Sequence, residues 1–211
     1  MGYTGIRASL MSVPPFVVGT VGLIVLVYSS DRFRERSLHT VFGMLLGLVG
    51  CLVMATSDDP KLRYGFAHVC MTGVFAGGPL VAVWLAGNTP WKVSPSPALI
   101  LRAPGRADLA ATRQSPRSFV LGLNGYSNLA GVIAGQLFKS RYGPSYKYPL
   151  TVTMILIAVG MLGFLFVRAM YMLENRKRRK IIAHWDEDRF AEEQTSTVRR
   201  GDQRYTWIYG Y

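Results

Sequence analysis

The sequence predicts an all-α, polytopic membrane protein with five transmembrane helices, and three observations support this prediction. Half of the 211 residues are hydrophobic. Five long stretches contain no Asp, Glu, Lys or Arg, and each is close to the roughly 20 residues that a helix needs to cross about 30 Å of hydrocarbon. The basic residues, which give a formal charge of +12, lie outside these stretches. A core helix of a soluble protein rarely stays apolar on every face over such a length.

The predicted spans follow one another through most of the chain and make residues 1–174 a five-span transmembrane region. A short, charged connection separates most neighbouring spans, as in a bundle of membrane helices. The spans are expected near residues 8–30, 37–57, 64–90, 118–138 and 148–170.

The composition also excludes several classes of function. In a soluble domain, a strong basic excess would indicate nucleic acid, but here the charges lie at the ends of spans, so the expected partner is the lipid bilayer. The sequence contains no hydrolytic triad, phosphate-binding loop or metal-ligand cluster, so no enzyme activity, metal or cofactor is predicted. Cys51 and Cys70 lie inside spans, where small apolar packing is the simplest interpretation.

The loop charges predict the orientation. If the C-terminus is cytoplasmic, the cytoplasmic segments hold 18 Lys and Arg and the external segments hold 6. The positive-inside rule selects this arrangement. The chain is therefore expected to be an integral, multi-pass membrane protein with a cytoplasmic C-terminus, in the plasma membrane.

Proline and glycine residues predict flexible or closely packed points in the first and third spans. Pro14 and Pro15 each remove a backbone donor, which frees a carbonyl and kinks the first span. In the third span, Gly73, Gly77 and Pro79 predict a break or flex point.

The fourth span holds the polar residues that we expect to line a path for substrate. Asn124 and Asn128 are four residues apart and share one face of a helix. An amide in hydrocarbon needs a partner, so this face meets either protein or a watery cavity. Interhelical hydrogen bonding is the alternative role of the two amides. Gly131 and Gly135 form a small-residue motif at which helices approach closely.

Two further residues of the third span are candidates for the same path. Trp84 and Asn88 lie in its cytoplasmic third, and Asn88 is expected at a depth similar to that of Asn124. His39 and His68 are the titratable groups of the predicted spans. Each lies near an end of its span, where a packed or interfacial histidine is expected rather than a proton relay.

The loop after the first span reads "YSSDRFRER", in which an acid, Asp31, is followed by three alternating arginines, Arg32, Arg34 and Arg36. The acid can accept hydrogen bonds from an arginine or lie at a helix N-terminus, and the arginines favour an anionic membrane face. An ordinary positive-inside loop is the alternative. The order of the residues resembles the loop signature of major facilitator superfamily transporters, with the signature glycine replaced.

Other segments resemble one family of that superfamily more specifically. The stretches "RASLMSVPPFVVGTV", "GGPLVAVWLAGNT" and "SFVLGLNGYSNLAGVIAGQLF", with the ending "GDQRYTWIYGY", are similar to the C-terminal half of fungal anion:cation symporters, the allantoate permease family. The resemblance implies the eighth to twelfth spans of a twelve-span symporter for small organic anions, including carboxylate and vitamin-type substrates. It implies proton coupling and alternating access. The first seven spans would be absent.

Residues 93–114 form an atypical loop that is rich in proline, alanine and arginine. Removing them leaves "NTPWKSPRSFVLGLN", the short basic loop that the resemblance implies. A retained intron, translated in frame, explains the segment, and a lineage-specific cytoplasmic loop is the alternative.

Residues 175–211 are expected to form a cytoplasmic basic tail. Their cluster "NRKRRK" suits an anionic lipid surface. The sequence thus predicts a transporter for a small organic anion, without nucleic acid or a stable protein partner. The alternatives are a membrane protein that packs with partner helices or lipid without transport, and a half-transporter that dimerises.

The intron hypothesis has a direct test. We expect the messenger RNA to join the Lys92 codon to the Ser115 codon, because the composition changes abruptly at both positions. Sequencing cDNA across this junction measures it. A dominant transcript that retains all 22 codons would favour the lineage-specific loop.

Overall fold

The structure is a computed structural model that describes residues 5–89, 122, 125, 130–195 and 203–211. Helices dominate these residues, and no strand occurs among them. The α-helices are α1 (Ile6–Phe33), α2 (Arg36–Thr56), α3 (Pro60–Asn88), α4 (Ala130–Leu137), α5 (Lys147–Ile182) and α6 (Glu187–Thr195). A 3₁₀ turn, Ser140–Tyr142, precedes α5.

Within the described residues, four helices are long and apolar enough to cross a membrane. They are α1 from Ser9, α2, α3 and α5. This confirms the predicted all-α, polytopic membrane fold class. The bounds of α2 agree with the predicted span 37–57 to within one residue. Helix α5 has 36 residues and is longer than the predicted span 148–170. At ~1.5 Å per residue, its length exceeds the ~30 Å of a bilayer core.

Several of the sequence predictions concern residues that lie outside the described ones. The predicted fourth span, 118–138, is described only at residues 122, 125 and 130–138, which include the helix α4. The atypical loop 93–114, Asn124 and Asn128 also lie outside the described residues.

The chain divides into two compact units, and each of the long helices α3 and α5 contributes to both. The described residues of the first unit are 5–84, 130–171 and 211. Those of the second unit are 85–89, 122, 125, 172–195 and 203–210.

Close backbone contact between α2 and α3 organises the first unit. A Cβ atom added at Gly73 would lie 2.5 Å from the backbone nitrogen of Gly47 and would also overlap the Gly43 carbonyl. One added at Gly50 would lie 2.6 Å from the Cβ of Cys70. Only glycine lets the two backbones approach this closely, as in small-residue interfaces of membrane helices. Cys51 and Cys70 are free and buried, with their Sγ atoms 3.6 Å apart, so they serve as small packing residues.

The prolines of α1 free a carbonyl that α3 uses. Helix α1 runs through Pro14 and Pro15 from Ile6 to Phe33. Pro15 has no N–H to donate to the Met11 carbonyl, one helical turn earlier. The Tyr64 hydroxyl of α3 donates to this carbonyl at 3.0 Å. The predicted free carbonyl is therefore present, and a neighbouring helix satisfies it.

The outer faces of the helices are apolar. Large side chains such as Ile24, Val25, Val159 and Phe166 are 59 to 66% exposed. In water such a surface would cause aggregation, whereas a bilayer covers it. These faces and the apolar helices support an integral, multi-pass membrane protein.

Polar contacts join the α2–α3 loop and the first turn of α3 to the start of α5. Lys147 Nζ lies 2.9 Å from a carboxylate oxygen of Asp58, and the Arg63 guanidinium donates to the Ser145 carbonyl. The Lys147 hydrogen bond and charge lower the pKa of the exposed Asp58. These contacts set the positions of α3 and α5 at this end of the first unit.

The glycines of α3 provide a matched test of the α2–α3 contact. Gly73→Ala should lower the free energy of unfolding by about 1–3 kcal/mol, because the new methyl group overlaps backbone atoms that cannot move aside. Gly77→Ala is the control, since a Cβ there meets no described atom within 4 Å. Thermal unfolding of the detergent-solubilised protein measures both. Equal melting temperatures for the two variants would contradict the packing.

Candidate functional site

The turn between α1 and α2 carries the arginine-rich motif and is stabilised by backbone hydrogen bonds. Arg34 takes a left-handed conformation with φ of 53°. Its N–H donates to the Asp31 carbonyl at 3.3 Å, and the next N–H, of Glu35, donates to the Ser30 carbonyl at 3.2 Å. These bonds satisfy carbonyls that the end of α1 leaves open. The Arg36 N–H donates to the carbonyl of Tyr211 at 2.9 Å.

The acid of the predicted motif forms a weak, exposed ion pair. Asp31 lies 3.4 Å from the Arg36 guanidinium, and the Asp31 side chain is 61% exposed. Pairs of this kind contribute roughly 0–1 kcal/mol. Arg32 and Arg34 are also exposed. The motif therefore presents positive charge at the surface, as expected of a loop next to an anionic membrane face.

A stronger ion pair lies beside the motif and joins two helices. The carboxylate of Glu35, the N-cap of α2, accepts from both terminal nitrogens of the Arg168 guanidinium, at 2.7 and 3.2 Å. Arg168, in α5, also donates to the Ser37 hydroxyl. Its side chain is 15% exposed, and its guanidinium lies 5.5 Å from the centre of the Tyr211 ring. Bidentate pairing of this kind fixes geometry as well as adding energy.

The surroundings of Glu35 shift its acidity. Burial acts to raise the pKa of this carboxyl, but the hydrogen bond and charge of Arg168 act in the opposite direction. The Leu38 N–H and the Ser37 hydroxyl add to the lowering, and the net pKa lies below its ordinary value of 4.5. Glu35 is therefore ionised at neutral pH and holds α5 against the start of α2.

His39 is a packed histidine. Its Nδ1 lies 2.5 Å from the Glu35 carbonyl, which can only accept, so Nδ1 carries a proton. Its Nε2 lies 3.0 Å from the Ser29 hydroxyl of α1. His68 similarly bonds the Tyr64 carbonyl of its own helix, at 2.9 Å. Both histidines have the packed surroundings that were expected. Among the described residues, neither histidine forms a hydrogen bond with a carboxylate side chain.

Trp84 lies in an aromatic cluster that joins α3 to α5. Its ring centre is 4.5 Å from that of Phe164 and 5.4 Å from that of Tyr171, and the residue is 4% exposed. Aromatic pairs at these distances contribute beyond their buried area. The structure therefore gives Trp84 a packing role, and its place on a substrate path stays a prediction.

The side chain of Asn88, in the second unit, forms hydrogen bonds with backbone atoms. Its side-chain nitrogen donates to the Gly210 carbonyl at 3.0 Å, and its oxygen accepts from the Gly210 N–H at 2.7 Å. Both ends of the amide are thus engaged by one residue near the end of the chain. A role for Asn88 on a substrate path stays a prediction.

The predicted packing glycines of α4 face open space. A Cβ at Gly131 or Gly135 would meet no described atom within 4 Å. Another open surface is a groove of about 370 Å³ along one face of α1, near Pro14 and Pro15. It is lined by Ser12, Val13, Phe16, Val17, Thr20 and Val21. The Thr20 hydroxyl donates to the Phe16 carbonyl, so the groove is apolar in character.

The third span does not break at its predicted flex point. Helix α3 is continuous through Gly77 and Pro79, from Pro60 to Asn88. Whether this point bends during function stays a prediction.

Sequence reasoning did not identify Glu35 or Arg168 as residues with specific partners. It also missed Asn175 and Arg178 of α5, which donate to the backbone carbonyls of Tyr209 and Trp207. The available signals were modest: Glu35 directly precedes an apolar run, the position of an N-cap, and Arg168 is an isolated charge at the end of another. In the described part of the chain, no group of three His, Cys, Asp or Glu residues could hold a metal ion.

The pKa of Glu35 makes its contribution to stability depend on pH. Its folded-state pKa is lowered, so the stabilisation is present above the ordinary value of 4.5 and is lost as the pH falls through the folded-state value. Glu35→Gln should lower the free energy of unfolding at neutral pH by about 1–2 kcal/mol, between the values for exposed and buried pairs. The difference should shrink as the pH falls below 4.5 and through the lowered folded-state pKa.

Unfolding of the solubilised protein at neutral pH and at an acidic pH measures this effect. The control is Asp31→Asn, which removes an exposed carboxylate and should change stability by less than about 0.5 kcal/mol at either pH. A Glu35→Gln effect of equal size at both pH values would contradict an ionic origin.

Comparison with known proteins identifies transporters as relatives. The chain is 31% identical over 183 residues to the major facilitator-type transporter hxnP of Emericella nidulans, a match that covers 85% of the chain and 33% of the relative. It is 29% identical over 185 residues to the MFS-type transporter efuF of Hormonema carpetanum, covering 86% and 33%. It is 23% identical over 188 residues to the high-affinity nicotinic acid transporter of Saccharomyces cerevisiae, covering 89% and 31%.

These relatives are named as transporters and not as enzymes, which agrees with the predicted absence of enzyme activity. No protein-family model matches the chain, and no solved structure matches it. The chain spans about a third of the length of the relatives. It is therefore homologous to part of the fungal transporters of the major facilitator superfamily.

Proposed function

We propose that this chain is the C-terminal part of a transporter that moves small organic anions across a membrane by alternating access. The observation that carries the proposal is the similarity to transporters along 85% or more of the chain. In a complete transporter of this type, two halves rock against each other around a site near the middle of the bilayer. This chain would supply helices of one half.

The proposed substrates carry a carboxylate and include vitamin-type molecules. One relative is named as a nicotinic acid transporter, and nicotinic acid is such an anion. The motifs that resemble the allantoate permease family support the same class. The five predicted spans hold no Lys or Arg near their centres, so the cation that faces the substrate charge, and the acid that couples proton movement, would come from other parts of the complete transporter.

Amide side chains are the proposed substrate contacts in this chain. An amide N–H can donate to a carboxylate oxygen without placing a full charge in the membrane. Asn128 is the main candidate, because it lies nearer the middle of its predicted span than Asn124. Asn88 and Trp84 complete the proposed path from the third span.

The proposed orientation places residues 175–211 in the cytoplasm and the transporter in the plasma membrane. The charge distribution of 18 against 6 supports the orientation. The exposed arginines of the α1–α2 turn would then face the anionic cytoplasmic leaflet.

A membrane protein that packs with partner helices without transport is the second candidate. One observation favours it: Gly131 and Gly135 leave a small-residue face on α4 with no described neighbour. Such faces bind other membrane helices. The same face would also suit the other half of a transporter, so uptake is the measurement that separates the two functions.

Uptake of labelled nicotinic acid tests the proposal. The complete gene would be expressed in yeast cells that lack their own nicotinic acid transporter, and uptake would be divided by the amount of surface protein. Asn128→Leu should reduce this ratio by at least about tenfold, because a hydrogen bond to a charged group contributes roughly 1.5–3 kcal/mol. Asn124→Leu should have a smaller effect. A protonophore should abolish uptake by the unmodified protein.

Ile133→Leu, at an exposed position of α4, is the matched control and should transport normally. Normal uptake per molecule in both asparagine variants would remove these residues from the site. Surface expression without uptake of nicotinic acid or related carboxylates in the unmodified protein would favour the second candidate.

A further inference from the structure

The second unit contains a peptide-binding arrangement that the proposed transport function does not require. Residues 204–210, here called the strap, return to the ends of α3 and α5 and are held there by side chains. Three polar residues hold the strap: Asn88 in the last turn of α3, and Asn175 and Arg178 in α5.

The two asparagines bind consecutive residues of the strap in the same way. Asn88 donates to the Gly210 carbonyl and accepts from its N–H, at 3.0 and 2.7 Å. Asn175 donates to the Tyr209 carbonyl and accepts from its N–H, at 2.8 and 2.9 Å. A side-chain amide presents a donor and an acceptor side by side, as the N–H and C=O of one residue of a β-strand do. Each asparagine therefore reproduces the two-bond exchange of paired strands.

This arrangement places the two asparagines on opposite sides of the strap. In an extended chain, the N–H and C=O of one residue point to one side and those of the next residue point to the other. Tyr209 therefore faces Asn175 and Gly210 faces Asn88. The strap passes between the ends of two helices and is bonded to each.

Arg178 holds the earlier part of the strap. Its Nη1 donates to the carbonyls of Arg204 and Trp207, at 3.2 and 2.8 Å. Its Nε donates to the Glu174 carboxylate one turn earlier, at 2.9 Å, which orients the guanidinium. The guanidinium also lies 4.9 Å from the centre of the Tyr209 ring, within the range of a cation–π interaction.

Burial shows that these contacts matter energetically. Asn175 is fully buried, and Asn88 and Arg178 are 7 and 8% exposed. A buried amide or guanidinium without partners would carry a large desolvation cost. The strap carbonyls and N–H groups supply partners for all three side chains.

We propose that residues 204–210 are an intramolecular ligand that fastens the end of α3 to the end of α5 through recognition of its backbone. Every hydrogen bond described above between these three side chains and the strap is made to a backbone atom of the strap. The side chain of Ile208, between two bonded residues, is 40% exposed. The site therefore selects a segment with free N–H groups at positions 209 and 210, and an aromatic residue at position 209. Release of the strap would let the two helix ends separate.

Two substitutions of Gly210 test the recognition of backbone. A Cβ there would lie 3.7 Å from the Asn88 oxygen, an ordinary contact, so Gly210→Ala should keep the strap in place. Gly210→Pro adds a larger side chain and also removes the N–H from which the Asn88 oxygen accepts a hydrogen bond. In the full 211-residue chain in lipid nanodiscs, hydrogen exchange at the Tyr209 amide should be at least about tenfold faster in Gly210→Pro than in Gly210→Ala.

The α2 amides are the internal control, because they should exchange equally in both variants. Equal, slow exchange at Tyr209 in both variants would overturn backbone recognition, and so would rapid exchange in the unmodified chain. Asn175→Ala should accelerate exchange at Tyr209 in the same way, while Ile208→Ser should not. Since position 210 lies outside the spans, the Gly210 pair remains decisive if Asn175→Ala fails to fold.

Spin labels test whether the strap fastens the helix ends. Labels at Gly87→Cys in α3 and Leu173→Cys in α5 occupy exposed positions, whereas the natural cysteines are buried and 3 and 7% exposed. The distance distribution between the labels should be narrow with Gly210→Ala and broader with Gly210→Pro. Identical distributions would show that the strap binds without restraining the helices and would overturn that part of the proposal. Neither measurement depends on transport.

Discussion

Hydrocarbon offers no partner for a hydrogen bond, and the arrangement of this protein depends on that constraint. Where a proline removes a donor from α1, the Tyr64 hydroxyl satisfies the Met11 carbonyl. Where threonines occur in the spans, as at Thr72, the hydroxyl donates to a carbonyl one turn earlier. Where no polar partner is offered, glycine brings the backbones of α2 and α3 into direct contact at Gly73. Each long helix can then cross the membrane because these polar groups have hydrogen-bond partners within the protein.

The same constraint places specific polar interactions near the ends of the helices. Glu35 and Arg168 pair where α2 begins, and Ser37 adds a further partner for the guanidinium. Asn88 is the last residue of α3, and its side chain donates to the backbone carbonyl of Gly210. Charges and amides at these positions can be satisfied by loops and chain ends, which are free to adopt the required geometry. The structure therefore concentrates its long-range polar contacts where helices leave the apolar region.

The sequence predicted what depends on neighbours along the chain. Charge-free runs located α2 to within one residue, and Pro15 indicated a free carbonyl. The partners of polar residues were beyond prediction, because they are distant in the sequence: Arg168 is 133 residues from Glu35, and Gly210 is 122 from Asn88. Composition also could not show that α5 continues as one helix through the basic cluster to Ile182. Lys and Arg are good helix formers, so charge marks the edge of the membrane but does not end the helix.

The strap also constrains the proposed role of Asn88 on a substrate path. Its side-chain oxygen accepts from the Gly210 N–H, and one of its two amide N–H groups donates to the Gly210 carbonyl. If a substrate carboxylate takes that same N–H, substrate and strap compete for Asn88, and binding of either lowers the affinity for the other by the same factor. Loss of the strap would then strengthen the substrate contact at Asn88, and a substrate affinity that does not change when the strap is lost would remove Asn88 from the path.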